Sequence, residues 1–252
     1  MSKIILFIVE GPSDQDALEM PLGNLYESLG LDYEIRFISY DPKHSLINPK
    51  RGDITSDDRV NPSNIVKKIR DDIIAPFLIN IAPDNFLSIA EVVQIIDIDG
   101  VYVDDSRIVF DEEKDKTFYC EDRILTNKVE EIVKRNSMKR DNIEYLLSID
   151  QLSIYSNRVP YSIYYFSSNL DLFFSDDANL APTKKRDLPK AFGLHYSDDS
   201  NDFIRHFTTH KCCRCGMGYK ESWDWLKEGT HSLEKGSNIN ILIERIVNSA
   251  KL

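Results

Sequence analysis

The chain has 252 residues, of which 42% are hydrophobic, and its formal net charge is −11. This length and apolar content suffice for a full core, in one large domain or in one domain with a sizeable extension. The negative charge argues against a protein that coats nucleic acid through its overall field, although a metal or a local basic stripe can still hold phosphates. No apolar run approaches the roughly 20 residues of a membrane span, and the first residues do not resemble a secretory signal. We therefore expect a cytoplasmic protein without membrane contact.

The first predicted element is a strand over residues 4–9, a continuous apolar run that is typical of burial on both faces. It ends at Glu10, and Ser13 is a suitable N-cap for a helix that has Asp14 in its first turn. An alternating segment over residues 33–39 predicts a second strand. Strand, helix and strand in this order predict a right-handed parallel crossover. The carboxyl ends of such strands are where open α/β sheets bind ligands.

The next segments predict a long loop and then a third buried strand. Residues 41–60 are rich in Pro, Asn, Asp and Gly, and their polar run 51–58 either leans over the strand ends or is an ordinary solvated loop. The third strand follows a helical segment and ends in Asp97-Ile-Asp99-Gly. Because side chains alternate along a strand, we expect Asp97 and Asp99 to face the same side.

The remainder of the chain predicts one more strand and then helices. Residues 101–118 are too charged for a core and predict an exposed insertion, such as a small hairpin. A fourth strand over 160–166 precedes Asp171, and helical pieces follow residue 175. We therefore expect an α/β fold with a mainly parallel sheet flanked by helices. One domain would span residues 1–180, with insertions near 41–60 and 101–118, and a helical extension over 181–252 would pack on it.

These elements predict that Glu10, Asp14, Asp97 and Asp99 converge at one rim of the sheet. Two like charges ~4 Å apart repel by about 4 kcal/mol at an effective dielectric of 20, and a divalent cation reverses that penalty. Mg²⁺ or Mn²⁺ at this rim would polarise a phosphoryl group and lower the pKa of a bound water. Acidic residues at strand ends are, however, often only helix caps or turn formers. A lysine or arginine between Glu10 and the aspartate pair would contradict a shared metal.

The two motifs taken together resemble the toprim fold of topoisomerases, primases, OLD-family nucleases and other small nucleases of bacterial defence systems. They are strand-Glu10-Gly-Pro-Ser-Asp14-helix and strand-Asp97-Ile-Asp99-Gly, and the resemblance covers residues 3–174. It implies that Glu10 is a metal ligand or general base, that Asp97 and Asp99 bind Mg²⁺ or Mn²⁺, and that Asp14 belongs to the nuclease set. It also implies an acidic residue after the fourth strand, where Asp171 is the nearest match.

The resemblance implies an endonuclease that uses Mg²⁺ or Mn²⁺ to hydrolyse phosphodiester bonds of DNA or RNA, with transfer RNA among the candidates. Stand-alone toprim nucleases of this kind are effectors of anti-phage abortive-infection systems. The chain lacks a Gly-x-x-x-x-Gly-Lys-Ser/Thr loop, so we expect a separate ATPase or sensor protein as partner, and a homo-oligomer stays open. The alternative is a non-catalytic toprim-like subunit that docks onto the ATPase or sensor. A nucleotidyl or phosphoryl transferase would use the same metal chemistry.

A second candidate metal site lies in the predicted helical extension. His206, His210, Cys212 and Cys215 are the residue types of a tetrahedral zinc site. The two pairs are very close in sequence, without the loop that normally lets ligand pairs wrap around a metal. The alternative interpretation is a helix end that carries reduced thiols.

Two basic clusters are candidates for contacts with a phosphate backbone. The first is residues 184–186, and the second consists of Lys134, Arg135, Lys139 and Arg140. Solvated helix faces of this kind are common, so either cluster can equally be an ordinary surface.

Overall fold

The computed structural model describes residues 3–39, 53–81, 89–209 and 213–251 as an α/β fold with a mainly parallel central sheet. The strands are β1 (Lys3–Val9), β2 (Tyr33–Ser39), β3 (Ile89–Asp97), β4 (Ile108–Phe110), β5 (Phe118–Tyr119), β6 (Ile124–Thr126), β7 (Gln151–Ile154) and β8 (Asn157–Phe166). The central sheet has the spatial order β2-β1-β3-β8-β7, in which β7 pairs antiparallel with β8 and the other neighbours are parallel. The expected fold class is thus confirmed.

Helices flank this sheet and make up the C-terminal region. They are α1 (Pro12–Ser28), α2 (Ile65–Lys68), α3 (Ala75–Ile81), α4 (Val129–Leu147), α5 (Leu170–Ser175), α6 (Pro182–Tyr196), α7 (Ser200–Thr209), α8 (Tyr219–Leu226) and α9 (Ile239–Ser249). A π-helical segment, Ile69–Ile74, joins α2 to α3. In the part of the chain that is described, no helix combines the length and the apolar character needed to cross a bilayer.

Strand β1 is buried on both faces, as its continuous apolar sequence predicts. Its even-numbered residues 4, 6 and 8 pack in one core cluster with the helical segment 65–78 and with Trp223 of α8. Its odd-numbered residues 5, 7 and 9 pack in a second cluster with α1, α7 and α9. Burying one such side chain contributes about 1.5–3 kcal/mol. Packing from both sides therefore fixes where the carboxyl end of β1 lies.

The turn after β1 leads directly into α1. Gly11, rather than the predicted Ser13, is the N-cap, and Pro12 occupies the first helical position, where its missing N–H is no loss. The helix returns the chain to β2, which pairs parallel with β1. The predicted parallel crossover is present.

The sheet register brings three strand ends to one edge. Ile8 of β1 is aligned with Gln94 of β3, and Asp97 of β3 is aligned with Phe166 of β8. Glu10, Asp97 and the segment after β8 consequently share this edge. It is the edge at which open parallel sheets bind ligands.

The insertion after β3 is larger than a hairpin. Strands β4, β6 and β5 form a three-stranded sheet in that order, and it extends to residue 126 rather than 118. The backbone N–H of Tyr119 donates to Asn179 Oδ1 at 2.9 Å, and the Asn179 amide donates to the Tyr119 carbonyl at 2.8 Å. The insertion is thereby tied to the segment that follows α5.

Candidate active site

An open cleft of about 330 Å³ lies at the shared edge of the sheet. The charged residues of its lining are Glu10, Asp14, Asp53, Asp97, Asp171 and Lys185. Four of the five carboxylates predicted from the sequence therefore meet in one space. Asp99, the fifth, is absent from the lining.

Glu10 and Asp97 are held in place by backbone groups of neighbouring strand ends. The N–H of Asp97 donates to Glu10 Oε1, and the N–H of Leu170 donates to Asp97 Oδ1, each at 3.0 Å. Neither Glu10 Oε2 nor Asp97 Oδ2 makes a hydrogen bond to a described residue. Each carboxylate thus has one anchored oxygen and one that a ligand can use.

Asp14 combines a structural contact with a place in the cleft. It lies in the first turn of α1, is 6% exposed, and its Oδ2 accepts a hydrogen bond from the N–H of Gly11 at 2.9 Å. Burial raises the pKa of Asp14 to about 7; backbone hydrogen bonds oppose this change, and the charges of Asp171 and Asp99 add to it. A carboxyl group with this pKa can take up and release a proton near neutral pH.

Lys139 of α4 is completely buried among carboxylates. Its Nζ lies 2.8 Å from Asp53 Oδ2, 3.2 Å from Asp99 Oδ2 and 3.6 Å from Glu10 Oε1. Burial alone would lower the pKa of Lys139, but these three carboxylates outweigh it and raise the pKa well above its usual range. The side chain is therefore a permanent internal cation. It fills the space between Glu10 and Asp99, which contradicts a single metal shared by these two residues.

Asp99 faces Lys139 because the strand ends before it. Strand β3 stops at Asp97, and Asp99 has a left-handed backbone with a φ of 55°. The alternation expected for Asp97 and Asp99 therefore does not reach the second aspartate. The N–H of Asp99 donates to the Ser168 carbonyl at 2.6 Å, and its own carbonyl accepts a hydrogen bond from Arg135 at 3.2 Å.

Asp53 is a site residue that the sequence analysis did not single out. It is 9% exposed, and its Oδ1 accepts hydrogen bonds from the N–H and Oγ1 of Thr55 at 2.7 and 2.6 Å. Residues 40–52 of the predicted loop lie outside the described residues. The described part leans over the strand ends, since Asp53 and Ser56 both line the cleft.

Asp53 and Glu10 lie at different distances from Lys139, and their pKa values are shifted in opposite directions. Burial would raise the pKa of Asp53, but the charge of Lys139 and several hydrogen bonds lower it overall. Glu10 is farther from the lysine, and burial together with the charge of Asp53 raises its pKa well above the ordinary value. Burial and the charge of Asp14 likewise raise the pKa of Asp97. The carboxyl groups on the cleft side of the cluster are therefore more readily protonated than ordinary ones.

Asp171 and Lys185 form an ion pair at the open side of the cleft. Lys185 Nζ lies 2.5 Å from Asp171 Oδ2, and the lysine side chain is 46% exposed. The second predicted basic cluster does not form one surface, because Lys139 is buried and Arg135 turns toward Tyr119 and Asn136. Lys185 thus remains as the accessible cation of the cleft lining.

The donor set of the cleft fits a hard divalent cation. Oxygens of Glu10, Asp14, Asp97 and Asp171 line one open space, and Mg²⁺ usually takes one or two carboxylates and completes its shell with water and substrate phosphate. Among the described residues, no group of three or more His, Cys, Asp or Glu side chains is placed so that it could hold a metal ion by itself. A cation bound here would therefore have to complete its shell with water or substrate oxygens.

The predicted zinc ligands are only partly described. The His206 ring forms a 2.8 Å hydrogen bond with Tyr196 Oη, and the Cys215 thiol donates to the Thr208 carbonyl at 2.8 Å. His210 and Cys212 lie outside the described residues. A zinc site therefore stays a prediction.

Comparison with known proteins assigns no family to the chain. No family model, no curated protein and no solved structure matches it. The resemblance to toprim proteins rests on the two motifs alone and stays a prediction.

Proposed function

We propose that the chain is a metal-dependent nuclease that hydrolyses phosphodiester bonds of DNA or RNA in the carboxylate cleft. One observation carries the proposal: Glu10 and Asp14 of the β1–α1 turn and the distant Asp97 line one open space at the carboxyl ends of the strands. The pKa of each is raised by burial and by neighbouring carboxylates. Clustered carboxyl groups with shifted pKa values are typical of sites that bind cations or transfer protons.

Each residue of the cleft can be given a role in this reaction. A bound Mg²⁺ or Mn²⁺ ion would supply a water of lowered pKa and would neutralise charge on the phosphoryl group. Glu10 and Asp97, anchored through one oxygen each, present the other to the cleft. Asp14, with a pKa of about 7, is suited to accept the proton of the attacking water. Lys185 can exchange Asp171 for a phosphate oxygen, because its ammonium group is accessible.

The biological setting of this activity is a further part of the proposal. We infer that the chain is the effector of an anti-phage abortive-infection system and works beside a separate ATPase or sensor. The support is the toprim resemblance together with the net charge of −11. An acidic surface limits contact with nucleic acid while the effector is at rest.

A second function is favoured by Lys139. This lysine compensates the negative charge of Asp53, Asp99 and Glu10 without a metal. A non-catalytic subunit that docks onto an ATPase or sensor would need the same compensation to keep these carboxylates together. The residues on the open side of the cleft distinguish between the two proposed functions. A docking subunit has no use for Asp14 and Asp97 in an open space with raised pKa values.

The test is incubation of the purified chain with plasmid DNA and with transfer RNA in Mn²⁺, in Mg²⁺ and in EDTA. The assay is run with the chain alone and with the proteins encoded beside it. We expect Mn²⁺-dependent cleavage of at least one nucleic acid and none in EDTA. Incorporation of labelled nucleotide would instead indicate a transferase.

A matched pair of variants completes this test. Glu10→Gln should lower the cleavage rate by at least about 100-fold, since metal stabilisation of several kcal/mol corresponds to such a factor. Asp141→Asn, which removes an exposed carboxylate of α4, should cleave like the parent. The proposal fails if neither nucleic acid is cut under any condition, or if Glu10→Gln cuts at the parental rate.

A further inference from the structure

We propose that Lys139 takes the place of a second divalent cation, so that the cleft binds one Mg²⁺ or Mn²⁺ ion on the side of Asp14 and Asp97. The inference rests on the proposed function, because it concerns the metal content of the same site. Carboxylate sites that cleave phosphodiesters often use two metal ions about 3.5–4 Å apart. Here the protein itself supplies one of the two positive centres.

The position of the ammonium group is the first support. Its nitrogen lies within 3.6 Å of oxygens from Glu10, Asp53 and Asp99. A Mg²⁺ ion at its usual distance of about 2.1 Å from Asp53 Oδ2 or Asp99 Oδ2 would lie at most about 5 Å from the ammonium nitrogen. Like charges so close repel each other. The lysine and a divalent ion therefore compete for these oxygens.

The second support is that α4 holds Lys139 in place from both sides. Arg135 lies one turn earlier and donates to the Asp99 carbonyl at 3.2 Å. Asn142 lies one turn later, and its amide donates to the carbonyls of Thr55 and Val60 at 2.9 and 3.3 Å. Residues three and four apart share one face of a helix. The same face thus clamps the turn after β3 and the segment that carries Asp53, with the ammonium group between them.

The third support comes from the carboxylate oxygens on the open side of the cluster, away from Lys139. Asp97 Oδ2 and Glu10 Oε2 make no hydrogen bond to a described residue, and both side chains line the open cleft with Asp14. The accessible cation of the cleft lining is Lys185, which is 46% exposed and can be displaced. One side of the cluster is therefore open to an ion, and the other is filled by the chain.

The direct test is the number of Mn²⁺ ions bound per chain, measured by equilibrium dialysis and by the electron spin resonance of free Mn²⁺. One ion per chain at saturation is the expected result. Two ions would overturn the role of Lys139 and leave the metal-dependent function standing. No bound ion would remove the proposed function together with this inference.

The Lys139→Ala variant tests the same idea from the opposite direction. Removing the ammonium group opens the second position, so the variant should bind two Mn²⁺ ions, and Mn²⁺ should raise its melting temperature more than that of the parent. Lys190→Ala removes an exposed lysine of α6 that does not line the cleft and should still bind one ion. A Lys139→Ala protein that binds one ion, with the thermal response of the parent, would overturn the inference. The parental stoichiometry decides the matter even if this variant does not fold.

Discussion

The two halves of the carboxylate cluster handle negative charge in opposite ways. In the inner half, Asp53, Asp99 and one oxygen of Glu10 surround the buried Lys139. In the outer half, Asp14 and Asp97 line an open cleft whose accessible cation is the half-exposed Lys185. The protein supplies its own counter-charge where the backbone must be held together. At the open side, carboxyl groups lie beside one another instead, and their pKa values are raised.

The pKa values follow the same division. The pKa of Asp53 is lowered overall despite its burial, because Lys139 is adjacent. The pKa of Asp14 is raised to about 7 by burial, with the charges of other carboxylates adding to it. Asp53 thus keeps its charge at neutral pH, whereas Asp14 exchanges a proton there.

The largest expected effect is on stability, from the loss of the inner cation. Lys139→Ala should lower the free energy of unfolding by about 3–5 kcal/mol, because it leaves three carboxylates without their buried partner. Lys185→Ala should lower it by less than about 1 kcal/mol, because its ion pair is accessible to water. Urea unfolding at pH 7 without divalent metal measures both. Equal losses of unfolding free energy in the two variants would contradict the distinction between the inner and outer halves of the cluster.

The next effect is on activity, from the outer half. Asp97→Asn should reduce the cleavage rate by at least about 100-fold. The amide oxygen can still accept the Leu170 N–H, and the substitution removes a charge from a carboxyl group whose pKa is raised, so stability should be unchanged or slightly higher. Cleavage assays together with urea unfolding measure both. A variant that unfolds far more easily than the parent would show that Asp97 serves the fold instead.

Asp14 should control how stability changes with pH. Because its pKa rises from an ordinary value of 3.8 to about 7 on folding, the folded protein binds this proton more tightly than the unfolded chain. The stabilisation is complete below about pH 4 and is lost as the pH rises to about 7. Without metal, the parent should lose about 2–4 kcal/mol relative to Asp14→Asn over this range. Parallel stability curves for parent and variant would contradict this assignment.

The smallest expected effect is on nucleic-acid binding. Lys185→Met should weaken binding about five- to tenfold and make it less sensitive to salt, because one phosphate contact is lost. Lys190→Met, an exposed substitution farther along α6, should bind like the parent. Fluorescence anisotropy in Ca²⁺, over a range of salt concentrations, tests the pair. Equal affinities for both variants would remove Lys185 from the substrate path.

Most of the cleft lining could be predicted from the sequence, because its carboxylates follow elements with strong local patterns. Glu10 and Asp97 come at the ends of buried apolar strands, and the register of parallel strands brings such ends together. Asp53 could not be placed in the same way, since it lies in a long polar loop. Loops of this composition carry no period from which a position can be derived.

The sequence contains evidence that Lys139 is buried, although its charge suggests an exposed residue. It resembles a solvated helix lysine, yet the spacing of Ile132, Asn136, Lys139, Ile143 and Leu146 places it on the buried face of α4. What no local pattern gives is the identity of its partners, which are 40 or more residues away in the chain.

The position of Asp99 was predicted wrongly for a different reason. The Asp-Gly pair at 99 and 100 is itself a turn signal, and the turn ends the strand before Asp99.

The most direct test of the division between the two halves is the Mn²⁺ affinity of Asp97→Asn and Asp99→Asn, measured side by side with the parent by titration calorimetry. We predict that Asp97→Asn loses at least about tenfold in affinity, because it removes an oxygen of the open cleft. Asp99→Asn should stay within about threefold of the parent, because Asp99 faces Lys139 and not the cleft. The reverse order, or equal losses in both variants, would contradict the account.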